Sequence, residues 1–546
     1  MDLNSFYLAN ESLLSSTGIG ILYALSVTVL LRAGVFSLAS CGLGALGAYT
    51  SSLLIIHAQL PWPLAVAAGA ATATLAGVLL AATVSRLRHV FLTIATVAFA
   101  EVVRLSLVNL GSITGGPVGL GPIPRQVEAP TIWIVALAAC WVVARLARTR
   151  FGISAACLGA DEPASRAQGI DVARIRIKLF ALSGALAGTA GALSALHNYH
   201  LDPSQFTLDQ TLAVVMCAVV GGTRSVWGTI AGTAVITLIP QLLLDLGAGA
   251  GWISVAVQGA ALLAVVLFLP GGLSGVLRPR VSSTVVEPAE LDRAEPVELR
   301  IEQVSLSFGG VTALDGVSLH AAPGEVVGLV GPNGAGKTTL INVITGQYRP
   351  DTGSVHLAGQ EITGRPVHRI ARAGVGRTFQ NLRVFGDLSC RDNVVSGAVT
   401  TMPATAASRI LALPAARRAD RAQASFAASR LGRVGLADRD LDRASSLAYG
   451  DQRRLEMARA TAAAPGLLIL DEPAAGMNES EALRLADTIR EHAAAGHTVL
   501  VVEHNMSLIR RACDRVLVLA SGRPLAEGTP DQVISDPKVI EAYLGA

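Results

Sequence analysis

Apolar residues fill the chain in long blocks as far as about residue 277 and in short runs beyond it. A membrane-crossing helix needs about 20 mainly apolar residues. Blocks of that kind lie at roughly 17–34, 35–57, 62–84, 90–109, 130–147, 178–196, 207–222, 226–246 and 252–269, which predicts about nine spans. The block at 207–222 is short enough to be half of a broken helix. Small residues crowd these blocks, as in Gly42-Leu43-Gly44-Ala45-Leu46-Gly47 and between Gly184 and Gly191. That composition lets helix backbones approach closely in a bundle. Beyond residue 296 the pattern changes. Residues 297–307 and 317–319 alternate as strands, and wholly apolar runs recur at 326–330, 467–470 and 498–502. Strands alternating with helical stretches predict an α/β core. The Ala- and Arg-rich stretch 405–443 has helical spacing, which predicts a helical insertion. Three segments follow: a membrane domain over 1–277, a charged and Pro-rich linker over 278–296, and a soluble domain over 297–546.

Charge supports this division. Residues 1–277 hold 23 of the 83 charged residues, and mean hydropathy is +0.51 for the whole chain. The net charge of +3 is small, and no basic cluster interleaves with aromatics, so nucleic acid is not an expected partner. The six cysteines are scattered without C-x-x-C spacing and read as small apolar residues carrying free thiols. Met1 to Ser16 lacks the basic region of a cleavable signal, so the first span is expected to direct insertion. Arg32, Arg86/Arg88, Arg145/Arg148/Arg150, Arg174/Arg176/Lys178, Arg224 and Arg278/Arg280 fall at alternate loops. The positive-inside rule puts those loops and the soluble domain in the cytoplasm, with the N-terminus outside.

Two features of the membrane half stand out. Glu101 and Arg104 lie three apart within one span, and a buried ion pair there is costly enough to need a reason. It either locks helix packing or lies on a translocation path. The polar loop 150–178 is expected to present a short helix, at about 162–168, to a cytoplasmic partner.

The candidate chemistry lies in the soluble half. Gly331-Pro-Asn333-Gly334-Ala-Gly336-Lys337-Thr338-Thr339 follows a buried-strand pattern and precedes a helical one, the context of a phosphate-binding loop. Its glycines let backbone N–H groups close on phosphate oxygens, Lys337 reaches the β- and γ-phosphates, and Thr338 is a Mg²⁺ ligand. The run Leu467-Leu468-Ile469-Leu470 ends in Asp471, placed to hold Mg²⁺ through water, and in Glu472, placed to polarise an attacking water. His504 ends another buried run, within reach of a γ-phosphate.

Taken in order, these residues resemble the nucleotide-binding domain of an ABC transporter. The resemblance makes Gln380 the Q-loop residue, a catalytic-site and Mg²⁺ ligand, and makes 447–454 (Leu447-Ala448-Tyr449-Gly450-Asp451-Gln-Arg-Arg) the signature. It implies that Glu472 is the catalytic glutamate, His504 the switch histidine, and Phe308 the aromatic that stacks on adenine. Asn478 occupies the position of the D-loop acid. Ala448 stands where the usual signature has serine and Tyr449 where it has glycine, yet the Gly450 backbone and the following helix N-terminus can still bind phosphate. Arg377-Thr-Phe-Gln, Leu447-Ala-Tyr-Gly, Asp471-Glu-Pro-Ala-Ala-Gly and the ending Ile540-Glu-Ala-Tyr-Leu-Gly resemble the ATPase of branched-chain amino acid importers. Thr114-Gly-Gly-Pro-Val-Gly-Leu, Glu101-Val-Val-Arg104 and Val220-Gly-Gly resemble the permease of the same systems.

The resemblance implies a permease–ATPase fusion: an all-α, type II importer-like bundle joined to an α/β P-loop ATPase with a helical subdomain. ATP and Mg²⁺ are its expected cofactors, and the lipid bilayer of a bacterial plasma membrane its setting. A second permease, a second ABC ATPase and an extracytoplasmic solute-binding protein are its expected partners. The substrate expected first is a branched-chain or other apolar amino acid. Urea, short amides and small organic or aromatic acids are alternatives on the same scaffold. A homodimeric exporter half fits less well, because exporter halves usually carry about six long helices with cytoplasmic extensions. A non-transporting regulator is disfavoured by the intact Lys337, Asp471 and Glu472.

Overall fold

In a computed structural model of the chain, the described residues are 3–544 except 86, 88, 224, 246–250, 270, 276–292 and 403–405. Most of the expected linker lies outside them, as do Arg86, Arg88, Arg224, Arg278 and Arg280 of the topology assignment. The chain forms two compact units. One comprises Met1–Gly159, Ala173–Arg280 and Ala406–Leu411, and the other Ala160–Val172, Val281–Thr405 and Ala412–Ala546.

The first half of the chain is helical throughout. Its elements are α1 (Leu3–Leu31), α2 (Ser40–Ala58), α3 (Trp62–Val84), α4 (His89–Asn109), the single turn α5 (Gly111–Thr114), α6 (Ala129–Leu146), α7 (Arg150–Ala160), α8 (Glu162–Ala167), α9 (Val172–His197), α10 (Leu208–Gly221), α11 (Val226–Asp245) and α12 (Gly251–Phe268). Among the described residues, eight of these are long and apolar enough to cross a membrane, and α10 is shorter. The nine expected blocks therefore match eight spans and one half-length helix. α1 begins well before residue 17. Residues 35–39, expected inside the second span, precede α2 instead.

The two glycine-rich stripes pack on each other. A Cβ on Gly47 would lie 2.3 Å from the Gly188 carbonyl oxygen, and one on Gly191 would lie 2.0 Å from that of Gly44. α2 and α9 can cross this closely only because no side chain stands between them. α1 and α11 are tied by hydroxyl pairs instead, Thr17 to Thr237 at 3.1 Å and Thr28 to Thr229 at 3.0 Å.

The structure corrects the setting of Glu101 and Arg104. They pair with each other at 3.0 Å, yet their side chains are 47% and 26% exposed, so the pair is not buried within this chain. α4 buries Leu92, Thr96, Val103 and Leu107. Glu101 stands two residues from Val103, on the other side of the helix. The segment 150–178 is likewise no open loop. α7 buries Ala155, Cys157 and Leu158, and α8 covers the short helix anticipated there.

The soluble half follows in the order β1 (Leu299–Phe308), β2 (Val311–Ala321), β3 (Val326–Val330), α13 (Lys337–Ile344), β4 (Thr352–Leu357), β5 (Gln360–Glu361), α14 (Val367–Arg372) and β6 (Val375–Arg377). Then come α15 (Cys390–Gly397), α16 (Ala406–Ile410), α17 (Pro414–Arg433), α18 (Tyr449–Ala460), β7 (Leu467–Asp471), α19 (Glu479–Ala494), β8 (Thr498–Val502), α20 (Met506–Ala512), β9 (Arg515–Ala520), β10 (Arg523–Gly528), α21 (Pro530–Ile534) and α22 (Pro537–Leu544). One antiparallel sheet has the order β2-β1-β4-β5, and a second has the order β10-β9-β3-β8-β7-β6. In the second sheet β9, β3, β8, β7 and β6 are parallel, and only the edge strand β10 runs antiparallel. β3, β7 and β8 are buried at every position, as their unbroken apolar runs require. Their carboxyl ends lie side by side, because β8 pairs with both β3 and β7. That edge is where an open parallel sheet places its ligand. The helical insertion comprises α15, α17 and α18, with α16 folding in the membrane unit, where Trp141 Nε1 donates to the Ile410 carbonyl at 2.9 Å.

Candidate ATP hydrolysis site

The phosphate loop runs from the end of β3 to the start of α13. Gly331, at φ 150°, brings its backbone so near β9 that a Cβ would lie 2.1 Å from the Leu519 carbonyl oxygen. Gly336, at φ 99°, caps α13 in a conformation that an L side chain resists. Lys337 is buried and donates from Nζ to the carbonyls of Gly331 (2.7 Å) and Pro332 (2.9 Å). Burial pushes its pKa down, opposed by the carboxylates of Glu472 and Asp471. Asn333, Gly334 and Thr338 are exposed, with Thr339 half-buried beside them at the first turn of α13.

Asp471 ends β7 inside the protein. Burial pushes its carboxyl pKa up, and Arg377 at 3.3 Å pulls it down. Arg377 also donates at 3.0 Å to Asn342 Oδ1 and Thr345 Oγ1, so one guanidinium joins β7 to α13. Asp471 Oδ1 is buried and has no hydrogen-bond partner. Among the described residues no group of three His, Cys, Asp or Glu forms a metal cage. A Mg²⁺ carried by nucleotide oxygens, with Thr338 and the vacant lone pairs of Asp471, fits this donor set.

Glu472 has φ 48°, a left-handed conformation that costs a non-glycine residue about 1–3 kcal/mol and marks functional sites. The strain is held by its own N–H, which donates to the Val502 carbonyl at 2.8 Å. Its Oε1 lies 3.2 Å from Gln380 Nε2 and 3.3 Å from His504 Nε2. The structure thus brings together three residues separated by up to 124 positions in the sequence. A carboxylate held between an amide and an imidazole can take a proton from water while both neighbours orient it.

The signature residues start α18. Leu447 is buried, Ala448 is the N-cap without a side-chain cap bond, and Tyr449 and Gly450 are exposed. The uncapped N–H groups of this first turn are available to an anion. Asp451 pairs with Arg454. Asn478 caps α19, accepting from the Glu481 N–H at 2.9 Å in a reciprocal capping box, so its oxygen is occupied by the helix. Phe308 ends β1 with its ring edge-on to Tyr348, centroids 5.1 Å apart.

Several residues of the site were given no role of their own by sequence, Arg453 being only part of the signature run. Arg453 donates to the backbone carbonyls of Phe379 (2.8 Å) and Gln380 (2.7 Å) and to the Tyr449 hydroxyl (3.1 Å), joining the Q-loop to the signature. Glu503 is buried and accepts from the N–H groups of Ala474 (2.6 Å) and His504 (2.9 Å). Its place beside His504 at the end of an apolar run was the available signal. Tyr348 had none.

Residues 160–172 fold with the ATPase unit. Asp161 caps α8 through the Ala164 N–H at 2.6 Å, and its other oxygen accepts from Arg383 at 2.8 Å. Arg372 donates to the Gly169 carbonyl at 2.8 Å. Arg383 lies three residues past Gln380, and its N–H donates to Glu456 of α18 at 3.2 Å. The helix anticipated at 162–168 is therefore fastened beside the Q-loop.

Three stretches match known families. Residues 10–266 match "Branched-chain amino acid transport system / permease component", residues 314–475 match "ABC transporter", and residues 523–546 match "Branched-chain amino acid ATP-binding cassette transporter". The chain is 43% identical over 250 residues to the high-affinity branched-chain amino acid transport ATP-binding protein LivG of Escherichia coli (strain K12), covering 45% of this chain and 97% of LivG. It is 42% identical over 248 residues to the corresponding BraF of Pseudomonas aeruginosa, covering 45% and 97%. A solved nucleotide-free ATP-binding cassette from an ABC transporter is 29% identical, covering 46% of this chain and 100% of that one, with a TM-score of 0.40. With a helical permease half and an ATP-hydrolysing half in one polypeptide, this multi-pass membrane protein belongs to the branched-chain amino acid ABC transporter family.

Proposed function

We propose that the chain is one half of a bacterial plasma-membrane importer that uses ATP to take up a branched-chain or other apolar amino acid. The observation that carries this reading is the meeting of Gln380, Glu472 and His504 beside a phosphate loop, in a chain whose other half is a helical permease. The names of LivG and BraF support the substrate class, both being high-affinity branched-chain amino acid transport proteins.

In this reading Lys337, the loop N–H groups and the start of α13 hold the β- and γ-phosphates. Phe308, with Tyr348 behind it, stacks on the adenine. Mg²⁺, held with the nucleotide by Thr338, Gln380 and Asp471, supplies positive charge against the phosphates. Glu472 accepts the proton of the attacking water, Gln380 and His504 hold that carboxylate in place, and Glu503 fixes the backbone from which His504 projects. The uncapped start of α18 (Ala448, Tyr449, Gly450, Asp451) faces the nucleotide of a second ATPase, as Asn478 and its loop do. Closure of the two ATPases reaches the permease through the segment 160–172 held by Arg383 and Arg372.

A second permease covers the exposed Glu101–Arg104 pair. An ion pair left against lipid is costly, so a protein surface is the favourable neighbour. A solute-binding protein delivers the substrate from outside. Purification in mild detergent tests this assembly. A second permease and a second ATPase chain should accompany the protein, whereas recovery only as a homodimer would refute it. Uptake of labelled leucine should be competed by isoleucine and valine; competition by urea or short amides instead would move the substrate to that class.

A further inference from the structure

A cavity of about 700 Å³ lies within the membrane bundle, a size typical of small-molecule sites. It is walled by the first half of α1, the end of α9, the start of α10 and the end of α11, with α12 beside them. Arg32 follows α1, and Arg174 and Arg176 begin α9, at the opposite ends of those helices. With the basic ends in the cytoplasm, the cavity occupies the extracytoplasmic side.

Among the described residues its lining contains no Asp, Glu, Lys or Arg, and His197 is a titratable group on its wall. Hydroxyls and carboxamides take their place, among them Ser15, Gln210, Gln241 and Gln258, interleaved with apolar side chains such as Phe206 and Leu244. Ser15 is buried, and its Oγ has no hydrogen-bond partner among the described residues. Pro240 lies inside α11 at the cavity wall. Proline has no N–H, so the carbonyl of Ile236, four residues earlier, loses its helical donor. Gln258 Nε2, from α12, donates to that carbonyl at 3.1 Å. Ile236, Pro240 and Gln258 all line the cavity. A backbone acceptor released by a proline within a spanning helix, and satisfied by one carboxamide, can exchange that amide for a solute's N–H at little cost.

We propose that this cavity is the solute site of the permease half and that it takes a small solute of zero net charge bearing an N–H donor, an apolar amino acid zwitterion fitting it best. The Ile236 carbonyl accepts the ammonium, Gln258 and Ser15 donate to the carboxylate, and the apolar wall holds the side chain. A solute with net charge finds no carboxylate, ammonium or guanidinium partner among the described lining residues and is disfavoured by desolvation. The absence of an ion pair keeps binding weak, as passage requires. The inference deepens the import reading above and rests on it.

Protection of an introduced thiol tests it. S16C, at a lining position given no part in binding, is made in the full chain, held in lipid nanodiscs with any co-purifying subunits, and its reaction with a small neutral maleimide is followed by peptide mass spectrometry. Millimolar leucine should slow the reaction, whereas glutamate and lysine should not. Adding Pro240→Ala, which restores a donor to Ile236 and favours the helix, should weaken that protection about fivefold, the effect of one lost hydrogen bond. Leucine without effect on S16C, in protein that still imports leucine with ATP, would overturn the site and leave the import reading standing. Protection by glutamate or lysine equal to that by leucine would overturn the proposed selectivity. Loss of ATP-driven uptake of every neutral amino acid by the unmodified protein would instead refute the import reading.

Discussion

Arg453, in the first turns of α18, donates a 2.7 Å hydrogen bond to the backbone carbonyl of Gln380. The same guanidinium bonds Phe379 and Tyr449 and pairs with the buried Glu456 at 3.4 Å. Burial pushes the Glu456 carboxyl pKa up, with Arg459 and Arg453 pulling it down. Removing one partner of such a buried network leaves a charge and two carbonyls unsatisfied, at a cost of about 3–5 kcal/mol. The Q-loop amide that holds Glu472 is thereby set by a residue of the signature helix.

Arg453→Met should therefore lower the rate of ATP hydrolysis at least tenfold, by releasing Gln380 from Glu472. Affinity for ATP at the phosphate loop should stay within about threefold of normal, because Lys337 and α13 are untouched. Arg453→Lys should recover only part of the rate, since an ammonium lacks the fork that spans two carbonyls. Steady-state hydrolysis together with direct nucleotide binding separates these effects. Equal losses of rate and affinity would contradict the positioning role.

Asp161 has two tasks that one substitution separates. Its Oδ1 caps α8, and its Oδ2 accepts from Arg383. Asp161→Asn keeps a capping oxygen while removing the charge. The pair is partly exposed, so its loss should change stability by no more than about 1 kcal/mol. Uptake by the assembled transporter should nonetheless fall several-fold while ATP hydrolysis continues. Unchanged uptake would remove this contact from the coupling path.

Much of the ATPase half was legible because its elements are local. The phosphate loop, Asp471 and Glu472 each sit directly after an apolar run whose length already says buried strand. His504 was legible from its place at the end of an apolar run, whereas Gln380 was found only through family resemblance, since a single amide carries no spacing of its own. Arg377, Arg453 and Tyr348 went unassigned as site residues because their roles depend on partners 32 or more positions away. In the membrane half, hydropathy located the helices but not their faces. It therefore placed Glu101 and Arg104 inside the bundle when α4 turns them outward. The glycine stripes were legible as close-packing surfaces, yet nothing in the sequence said that α2 and α9 would be each other's neighbours.

Acid should loosen the ATPase unit through His492. Its ring is buried, edge-on to His497 at 5.2 Å, and its Nδ1 has no hydrogen-bond partner. Burial, with help from His497, Arg430 and Arg433, holds its pKa down to about 4 against an ordinary 6.5. An unfolded chain takes up this proton below about pH 6.5, which the folded chain resists until about pH 4. The stabilisation is thus intact above pH 6.5 and is lost as pH falls towards 4, by about 3 kcal/mol. His492→Leu removes the titrating group without stranding a hydrogen bond and should flatten this dependence. Pulse proteolysis of the full chain across that range measures it, and an identical acid profile in the variant would contradict the assignment.

The central claim is that hydrolysis at Glu472 drives solute through the permease half of the same polypeptide. The most direct test is ATP-dependent uptake of labelled leucine into proteoliposomes holding the purified assembly, with or without Glu472→Gln. The variant should still bind ATP, since Lys337 and the phosphate loop are intact, but hydrolysis and uptake should both fall to background. Sustained hydrolysis and continued uptake by the E472Q protein would contradict the account.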